Sequence, residues 1–325
     1  MRQQKASTGG LAIVRKEALM YRHNHQLQFT SKPEKPDALY AMKFQEILGG
    51  QFGEITVMMQ YLWQGWTCKI PGKYKDMIMD IATEEIGHVE MLTTMLARLL
   101  EGAPSETTEK AVAANPALAA VLGGMNPQHA IVAGGGPLPT NCQGVPWNAG
   151  YIVASGNLLT DFRSNAAAEG QSRLQTSRIA NMTDDAGVKA MLAFNLARDT
   201  YHQQQWLRGI EMLIADGFYD LEIEHSNGEW EDQKQAHTFW SLSEDGSQAN
   251  EGLWATGTSM VDGEPYQFLA NPDPIGGDDG TLPAPDPLLF ATYDGNQGPG
   301  TPGTPTGVAA KTGERIVDKV KDALT

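Results

Sequence analysis

Long apolar runs, cysteines and positive charge are all scarce in this 325-residue sequence. No segment approaches the roughly 18 consecutive apolar residues of a membrane-spanning helix. The longest apolar run near the N-terminus, Leu11 to Val14, is too short for a secretory signal. Cys68 and Cys142, the two cysteines, are too few for a disulfide framework or a thiolate metal site. We therefore expect a soluble protein of a reducing compartment, the cytoplasm.

Basic residues are outnumbered, with 24 Lys and Arg against 39 Asp and Glu, which gives a net charge of −15. A surface of this sign repels phosphate backbones and anionic lipid headgroups, so neither nucleic acid nor a membrane is an expected partner. Apolar residues make up 41% of the chain, which is enough for a sizeable core and too much for wholesale disorder.

Glycine and proline are unevenly distributed along the chain. The segment 271–308 holds eight prolines and eight glycines, whereas 74–86 holds none of either. From about residue 220 onward there is no helical period, and Asp-Gly pairs that favour turns recur. Large apolar side chains nevertheless indicate that much of this region packs against something: Phe239, Trp240, Leu253, Trp254, Tyr266, Phe268, Leu288 and Phe290. We interpret 220–325 as a mostly irregular arm packed on neighbouring subunits, and 1–36 as an N-terminal arm.

Four segments of about 30 residues show the periodicity of amphipathic helices: 37–67, 73–101, 148–181 and 184–216. Each follows a typical helix-start signal: Pro36-Asp37, Pro71-Gly72, Pro146-Trp147-Asn148 and Thr183-Asp184-Asp185. The joins within the first pair and within the second pair are short, while the join between the pairs, 102–147, is long. This pattern predicts an all-α core, a ferritin-like four-helix bundle over 37–219.

Charged side chains interrupt the apolar face of the second segment. Glu85 and His88 are three residues apart and therefore share a face, which also carries apolar residues such as Leu92. A buried carboxylate costs several kcal/mol unless it is paired or bound to a metal. Glu84 and Glu90 point at other angles, and we expect both on a solvated face.

Each of the other three segments also places a carboxylate among core positions. Glu54 lies in the first and Glu169 in the third, and the fourth repeats the carboxylate-x-x-histidine spacing as Asp199 and His202. Taken singly, each has a simpler explanation, such as an ordinary core histidine or a pair between Glu169 and Arg173. Taken together and in this order, they match the di-iron and di-manganese carboxylate bundles. Mixed oxygen and imidazole ligands suit manganese or iron.

The sequence resembles the manganese (non-haem) catalase family in four segments: 48–54, 82–91, 155–158 and 196–202. The similarity extends from about Met20 to about Gly277. It implies disproportionation of hydrogen peroxide to dioxygen and water at a pair of manganese ions, with no organic cofactor. It also implies a homohexamer with arms that cross between subunits.

The resemblance assigns five residues as direct metal ligands. Glu85 is expected to bridge the two metals. Glu54 and His88 would hold one manganese ion, and Glu169 and His202 the other. All five positions of the family pattern are occupied by the expected residue types.

The resemblance also implies two candidate catalytic residues beside the metals. Tyr61 matches an outer-sphere tyrosine that donates a hydrogen bond to a ligand carboxylate. Asp199 stands where the family often has a glutamate next to the solvent bridges, and since it is one methylene shorter, its role as proton acceptor is open. Some members carry an arginine where this chain has Ala168, so access to the cluster is expected to differ.

A calcium site is a further expectation from the resemblance. Asp76 and Asp80 match two of its ligands, and a C-terminal loop with Ser241, Ser243 and Gly246 would supply the others. Oxygen ligands suit calcium. A serine stands at 241 where an asparagine is expected, and a solvated helix face explains the two aspartates equally well.

Two alternative functions stay open at this point. One is a ferritin-like di-iron oxidase or iron-binding protein, which metal analysis and ferroxidase turnover would reveal. The other is a structural relative of the spore-coat type, which would retain the helices but could lose a ligand. Because all five expected ligands are present, the structural role is the weaker alternative.

Overall fold

The computed structural model describes residues 26–70, 72–102, 117, 121, 124–218, 232–244, 252–259, 262–277 and 280. Residues 1–25, which include most of the predicted N-terminal arm, and 281–325 lie outside the described residues. The chain divides into two compact units, with the boundary between Glu231 and Asp232.

The first unit is helical. Its helices are α1 (Ala38–Gly49), α2 (Glu54–Thr67), α3 (Lys73–Leu100), α4 (Pro127–Ile131), α5 (Leu158–Ala180) and α6 (Ala186–Ala215). None of the helices in the described part of the chain combines the length and the apolar character needed to cross a membrane.

The first predicted helix is in fact broken into α1 and α2, so the prediction of one continuous helix there is wrong. Two glycines beside the break are closely packed against backbone atoms. A Cβ atom on Gly49 would lie 2.2 Å from the backbone oxygen of Thr140, and one on Gly53 would lie 2.7 Å from that of Leu48. The break makes Glu54 the first residue of α2, where the positive end of the helix dipole favours a carboxylate.

Helix starts follow the capping residues in most places. The side chains of Asp37 and Asp185 accept backbone N–H groups and cap α1 and α6, as their positions predicted. The start predicted at Asn148 is wrong, because this residue caps only a single 3₁₀ turn. Asn157 provides the real cap, and α5 therefore begins at Leu158.

Four helical segments, with α1 and α2 counted as one, enclose a shared core. α2 packs along α3, α5 packs along α6, and α1 contacts both α3 and α5. One apolar cluster around Phe44 joins α1, α3, α5 and α6, and a second around Trp206 joins α2, α3, α5 and α6. Short joins connect the paired helices and the long segment 101–157 connects the pairs, which agrees with the predicted connection pattern.

The second unit contains short elements: α7 (Gln233–Ala236), β1 (Thr238–Ser241), α8 (Leu253–Thr256) and β2 (Gln267–Ala270). β1 and β2 pair in parallel with Phe239 opposite Phe268, and the two rings stack with centroids 5.9 Å apart. This strand pair was not predicted. The sequence signal for these strands was weak, because it consists of two four-residue segments that each contain an aromatic residue.

The predicted packing of the arm on neighbouring subunits stays a prediction. Leu253 and Trp254 are exposed in the second unit, as expected of side chains that need a partner surface. Leu288 and Phe290, which also supported that interpretation, lie outside the described residues.

Candidate metal centre

A cluster of ionisable side chains lies inside the helical unit, where α2, α3, α5 and α6 meet. Four carboxylates and two histidines in it are at most 1% exposed: Glu54, Glu85, His88, Glu169, Asp199 and His202. The residues of the cluster that α3, α5 and α6 contribute lie well away from the ends of these helices.

Glu85 lies between the two imidazoles. Its Oε2 is 2.6 Å from Nδ1 of His88, and its Oε1 is 2.7 Å from Nδ1 of His202. The two rings are nearly parallel, with centroids 5.6 Å apart and 26° between their planes. One carboxylate therefore contacts a histidine of each helix pair with a different oxygen.

On one side of Glu85, Glu54 and Asp199 share a donor. Nδ2 of Asn195 donates to Oε1 of Glu54 at 2.8 Å and lies 3.0 and 3.1 Å from the two oxygens of Asp199. Ser172 donates a further hydrogen bond to Asp199 at 3.3 Å. Oε2 of Glu54 lies 3.5 Å from Nδ1 of His88. Asp199 thus faces the Glu54 side of the cluster.

On the other side, Glu169 is held by two aromatic residues. The hydroxyl of Tyr61 donates to Oε1 of Glu169 at 2.7 Å, and the indole N–H of Trp206 lies 3.4 Å from the same oxygen. The rings of Tyr61 and Trp206 pack against each other with centroids 4.8 Å apart. Nδ1 of His202 is 3.9 Å from the same Glu169 oxygen.

Glu84 also belongs to the cluster, although it was expected on a solvated face. Its side chain is only 26% exposed, with Oε1 at 3.7 Å from Nε2 of His88 and Oε2 at 3.2 Å from Nε2 of His202. Arg198 donates to both oxygens, at 2.5 and 3.1 Å. The expectation is wrong because α6 covers this part of α3. The spacing of four residues between Glu84 and His88 was the signal that could have revealed it.

The electrostatics of the cluster favour bound cations. Burial raises the pKa of Glu54, Glu169 and Asp199, and the charge of Glu85 raises each of them further. Four buried carboxylates thus lie beside two imidazoles, and a fifth carboxylate, Glu84, is paired with Arg198 at the edge of the cluster. Two divalent cations would supply the missing positive charge and allow all four carboxylates to ionise.

Several buried polar atoms of the cluster have no hydrogen-bond partner in the described part of the chain: Oε2 of Glu54, Oε1 of Glu85, Nε2 of His88, and both ring nitrogens of His202. Oε1 of Glu85 and Nδ1 of His202 are close but not aligned for a hydrogen bond. Buried polar atoms are normally satisfied, so the unpartnered carboxylate oxygens and Nδ1 of His202 suit a metal ion. Potential ligand atoms lie within 4.8 Å of one another in two groups, Glu85 with both histidines, and Glu54 with His88 and Asp199.

The residues expected to bind calcium lie apart in the chain. Asp76 and Asp80 are exposed on the first turns of α3, in the first unit. Ser241 and Ser243 belong to the second unit, and Gly246 lies outside the described residues. The calcium assignment stays a prediction.

The structure is a helical bundle whose interior carboxylates and histidines could hold metal ions. These two features together define the class of helical-bundle metalloproteins with carboxylate-rich metal sites. Comparison with known proteins identifies the family within it. The family model for manganese containing catalase matches residues 20–295. The chain belongs to the manganese-containing catalase family.

Relatives of known name cover most of the chain. It is 49% identical to a manganese catalase of Bacillus subtilis (strain 168) over 284 residues, 86% of this chain and 100% of that protein. It is 42% identical to a manganese catalase of Lactiplantibacillus plantarum over 259 residues, 79% of this chain and 94% of that one. Its fold matches the crystal structure of KatB, a manganese catalase from Anabaena, with a TM-score of 0.58 at 24% identity, covering 78% of this chain and 100% of that one.

Proposed function

We propose that this chain is a catalase that disproportionates two hydrogen peroxide molecules to dioxygen and water at a dimanganese centre. The observation that carries the proposal is the Glu85 carboxylate, buried between Nδ1 of His88 and Nδ1 of His202. Membership of the manganese-containing catalase family supports the choice of metal and reaction over a di-iron oxidase or a purely structural role.

The ligand assignment follows the arrangement of the side chains. Glu54 and His88 would hold one manganese ion, Glu169 and His202 the other, and Glu85 would bridge them. A bound manganese pair supplies redox chemistry in which two electrons are accepted from one peroxide and delivered to another. Because the ligands are buried, the site is shielded from bulk water.

The protein side chains must accept and donate the protons of the reaction. The peroxide that is oxidised loses two electrons and two protons to become dioxygen. The other gains two electrons and two protons as its O–O bond breaks, which gives two water molecules. We assign the transfer of these protons to the Asp199 carboxylate, which Asn195 and Ser172 hold beside Glu54.

Tyr61 positions a ligand in this proposal and does not exchange protons with substrate. Its hydroxyl donates to Glu169, and burial raises the pKa of Tyr61 well above its usual value, so the group keeps its proton. A fixed donor of this kind orients the ligand carboxylate and tunes the metal it binds.

We further propose the finer features that the family resemblance implied. The bundle would be of the ferritin-like type, and the protein would be a cytoplasmic homohexamer whose 220–325 arm packs on neighbouring subunits. Exposed apolar side chains on α2 and α6, such as Trp63, Trp66 and Leu207, support burial against another subunit. Light scattering of the full chain tests the hexamer, and metal analysis after dialysis against calcium tests the site at Asp76 and Asp80.

The activity is tested by loading the purified protein with manganese, adding hydrogen peroxide and recording dioxygen with an oxygen electrode. We expect sustained dioxygen release that depends on manganese. A protein that takes up iron instead, and oxidises ferrous iron without releasing dioxygen from peroxide, would contradict the proposal.

A further inference from the structure

We propose that Glu84, held by Arg198, is a positioning residue that orients both ligand imidazoles from the side of the cluster opposite Glu85. The inference rests on the proposed function, because it takes His88 and His202 as metal ligands. It concerns a residue outside the expected ligand set.

Each imidazole lies between two carboxylates. Nδ1 of His88 and Nδ1 of His202 face Glu85, at 2.6 and 2.7 Å, while their Nε2 atoms face Glu84, at 3.7 and 3.2 Å. A ring that keeps its proton on Nε2, toward Glu84, presents the Nδ1 lone pair to a metal on the Glu85 side. One carboxylate can thus fix the tautomer of both histidines.

Glu84 is the acceptor that stands within reach of both outer ring nitrogens. Nε2 of His88 and Nε2 of His202 are buried, and neither forms an aligned hydrogen bond with any described residue, Glu84 included, although the Glu84 oxygens are the carboxylate oxygens that face them. The 3.2 Å contact to His202 is within hydrogen-bonding distance, and the 3.7 Å contact to His88 is just beyond it. Buried N–H groups without other partners therefore point to Glu84 as the group that satisfies them.

Arg198 determines how the Glu84 carboxylate is oriented. Its Nε and Nη2 donate to Oε1 and Oε2 respectively, at 2.5 and 3.1 Å, in the two-pronged geometry that fixes the plane of a carboxylate. The guanidinium also lies over the ring of Tyr201, 4.9 Å from its centroid. With its plane fixed, Glu84 directs one oxygen toward each histidine.

The pair is too exposed to contribute much as an ordinary ion pair. The side chains of Glu84 and Arg198 are 26% and 32% exposed, and exposed ion pairs stabilise proteins little. Its effect is therefore expected in metal binding, and much less in folding.

The experiment compares Glu84→Gln with Glu90→Gln, a matched change at an exposed position of the same helix. Manganese affinity is measured by competition with a chelator, and the manganese spectrum by electron paramagnetic resonance. Glutamine has one acceptor oxygen, so it can serve one imidazole only. We expect Glu84→Gln to lower manganese affinity about 10- to 100-fold, unequally for the two ions, with isolated-ion signals replacing those of the coupled pair. Glu90→Gln is expected to match the unmodified protein.

A second variant, Arg198→Gln, keeps Glu84 and removes the group that orients it. We expect the same change in affinity and spectrum, but smaller than in Glu84→Gln. If Glu84→Gln does not fold, the manganese affinity and spectrum of Arg198→Gln test the inference instead.

Two results would overturn the inference. One is manganese affinity and spectra in folded Glu84→Gln equal to those of Glu90→Gln, and the other is the same equality for Arg198→Gln. If the unmodified protein itself binds no manganese, the proposed function fails, which is a distinguishable outcome.

Discussion

Each helix pair contributes a lone glutamate and a carboxylate-x-x-histidine motif in the same order, but the motif carboxylates, Glu85 and Asp199, make different contacts. Both α3 and α6 carry a carboxylate followed three residues later by a histidine. In α3, Glu85 contacts its own histidine, His88, and also His202 of the other pair. In α6, Asp199 accepts hydrogen bonds from Asn195 and faces away from His202, toward the opposite side of the cluster. Spacing places a carboxylate on the inner face, whereas side-chain length and neighbours decide what it contacts.

The lone carboxylates of the two pairs differ as well. Glu54 begins α2 directly after the break between α1 and α2 and is held by an amide, Asn195. Glu169 lies in the middle of the continuous helix α5 and is held by the phenol of Tyr61. The two proposed metal positions are therefore unequal in their surroundings although their ligand types match.

The largest expected effect comes from removing the shared carboxylate. Glu85→Ala takes away the contact to both histidines, so we expect loss of the paired manganese and a fall of dioxygen release to background. Manganese content per chain and oxygen-electrode rates measure this. If a Glu85→Ala protein with native helix content keeps both ions, the bridging assignment is wrong.

The matched change in the other motif is Asp199→Asn. We expect both manganese ions to be retained, because the proposed function assigns Asp199 to proton transfer and not to metal binding, and we expect kcat to fall about 10²- to 10⁴-fold with loss of a proton acceptor. Asp199→Glu, which restores the length common in the family, is the control and is expected to keep activity. Loss of manganese in Asp199→Asn would show that Asp199 is itself a ligand.

The variants Tyr61→Phe and Asn195→Ala each remove the hydrogen-bond donor of one lone carboxylate, Glu169 and Glu54 respectively. Removal of the Tyr61 hydroxyl leaves Glu169 without its 2.7 Å donor, so we expect manganese affinity to fall about 10- to 100-fold at one position only. Asn195→Ala is expected to weaken the other position. The measurement is stepwise manganese binding by calorimetry. Equal loss at both positions in each variant would mean that the two halves are not independent.

The smallest expected effect on activity concerns the break that places Glu54. Gly49→Ala puts a Cβ against the Thr140 backbone and is expected to lower the free energy of unfolding by about 1–3 kcal/mol, with the ligand chemistry intact. Gly136→Ala, where the nearest atom would be 3.4 Å away, is the control. Thermal unfolding monitored by circular dichroism compares them, and equal midpoints would contradict the steric explanation.

The long helices and the inner cluster could be predicted because their signals are local. The spacing of Glu85 and His88, repeated in Asp199 and His202, placed these residues on buried faces, and the structure brings all four together. Where a capping side chain such as Asp185 precedes a helix, the predicted start was correct. Local patterns therefore sufficed for α3 and α6.

Features that depend on distant contacts could not be predicted in this way. The close approach of the Thr140 backbone to Gly49, beside the break between α1 and α2, is not recorded in any helical period. Glu84 is covered by Arg198, a residue of another helix, so its burial depends on how α3 and α6 pack. The pairing of Phe239 with Phe268 likewise depends on the fold of the second unit.

The most direct test of the central claim is one combined measurement on the purified protein, manganese content per chain together with dioxygen released per peroxide consumed. We expect two manganese ions per chain and one dioxygen for every two peroxide molecules. Peroxide consumed without dioxygen release by the manganese-loaded protein would contradict the central claim.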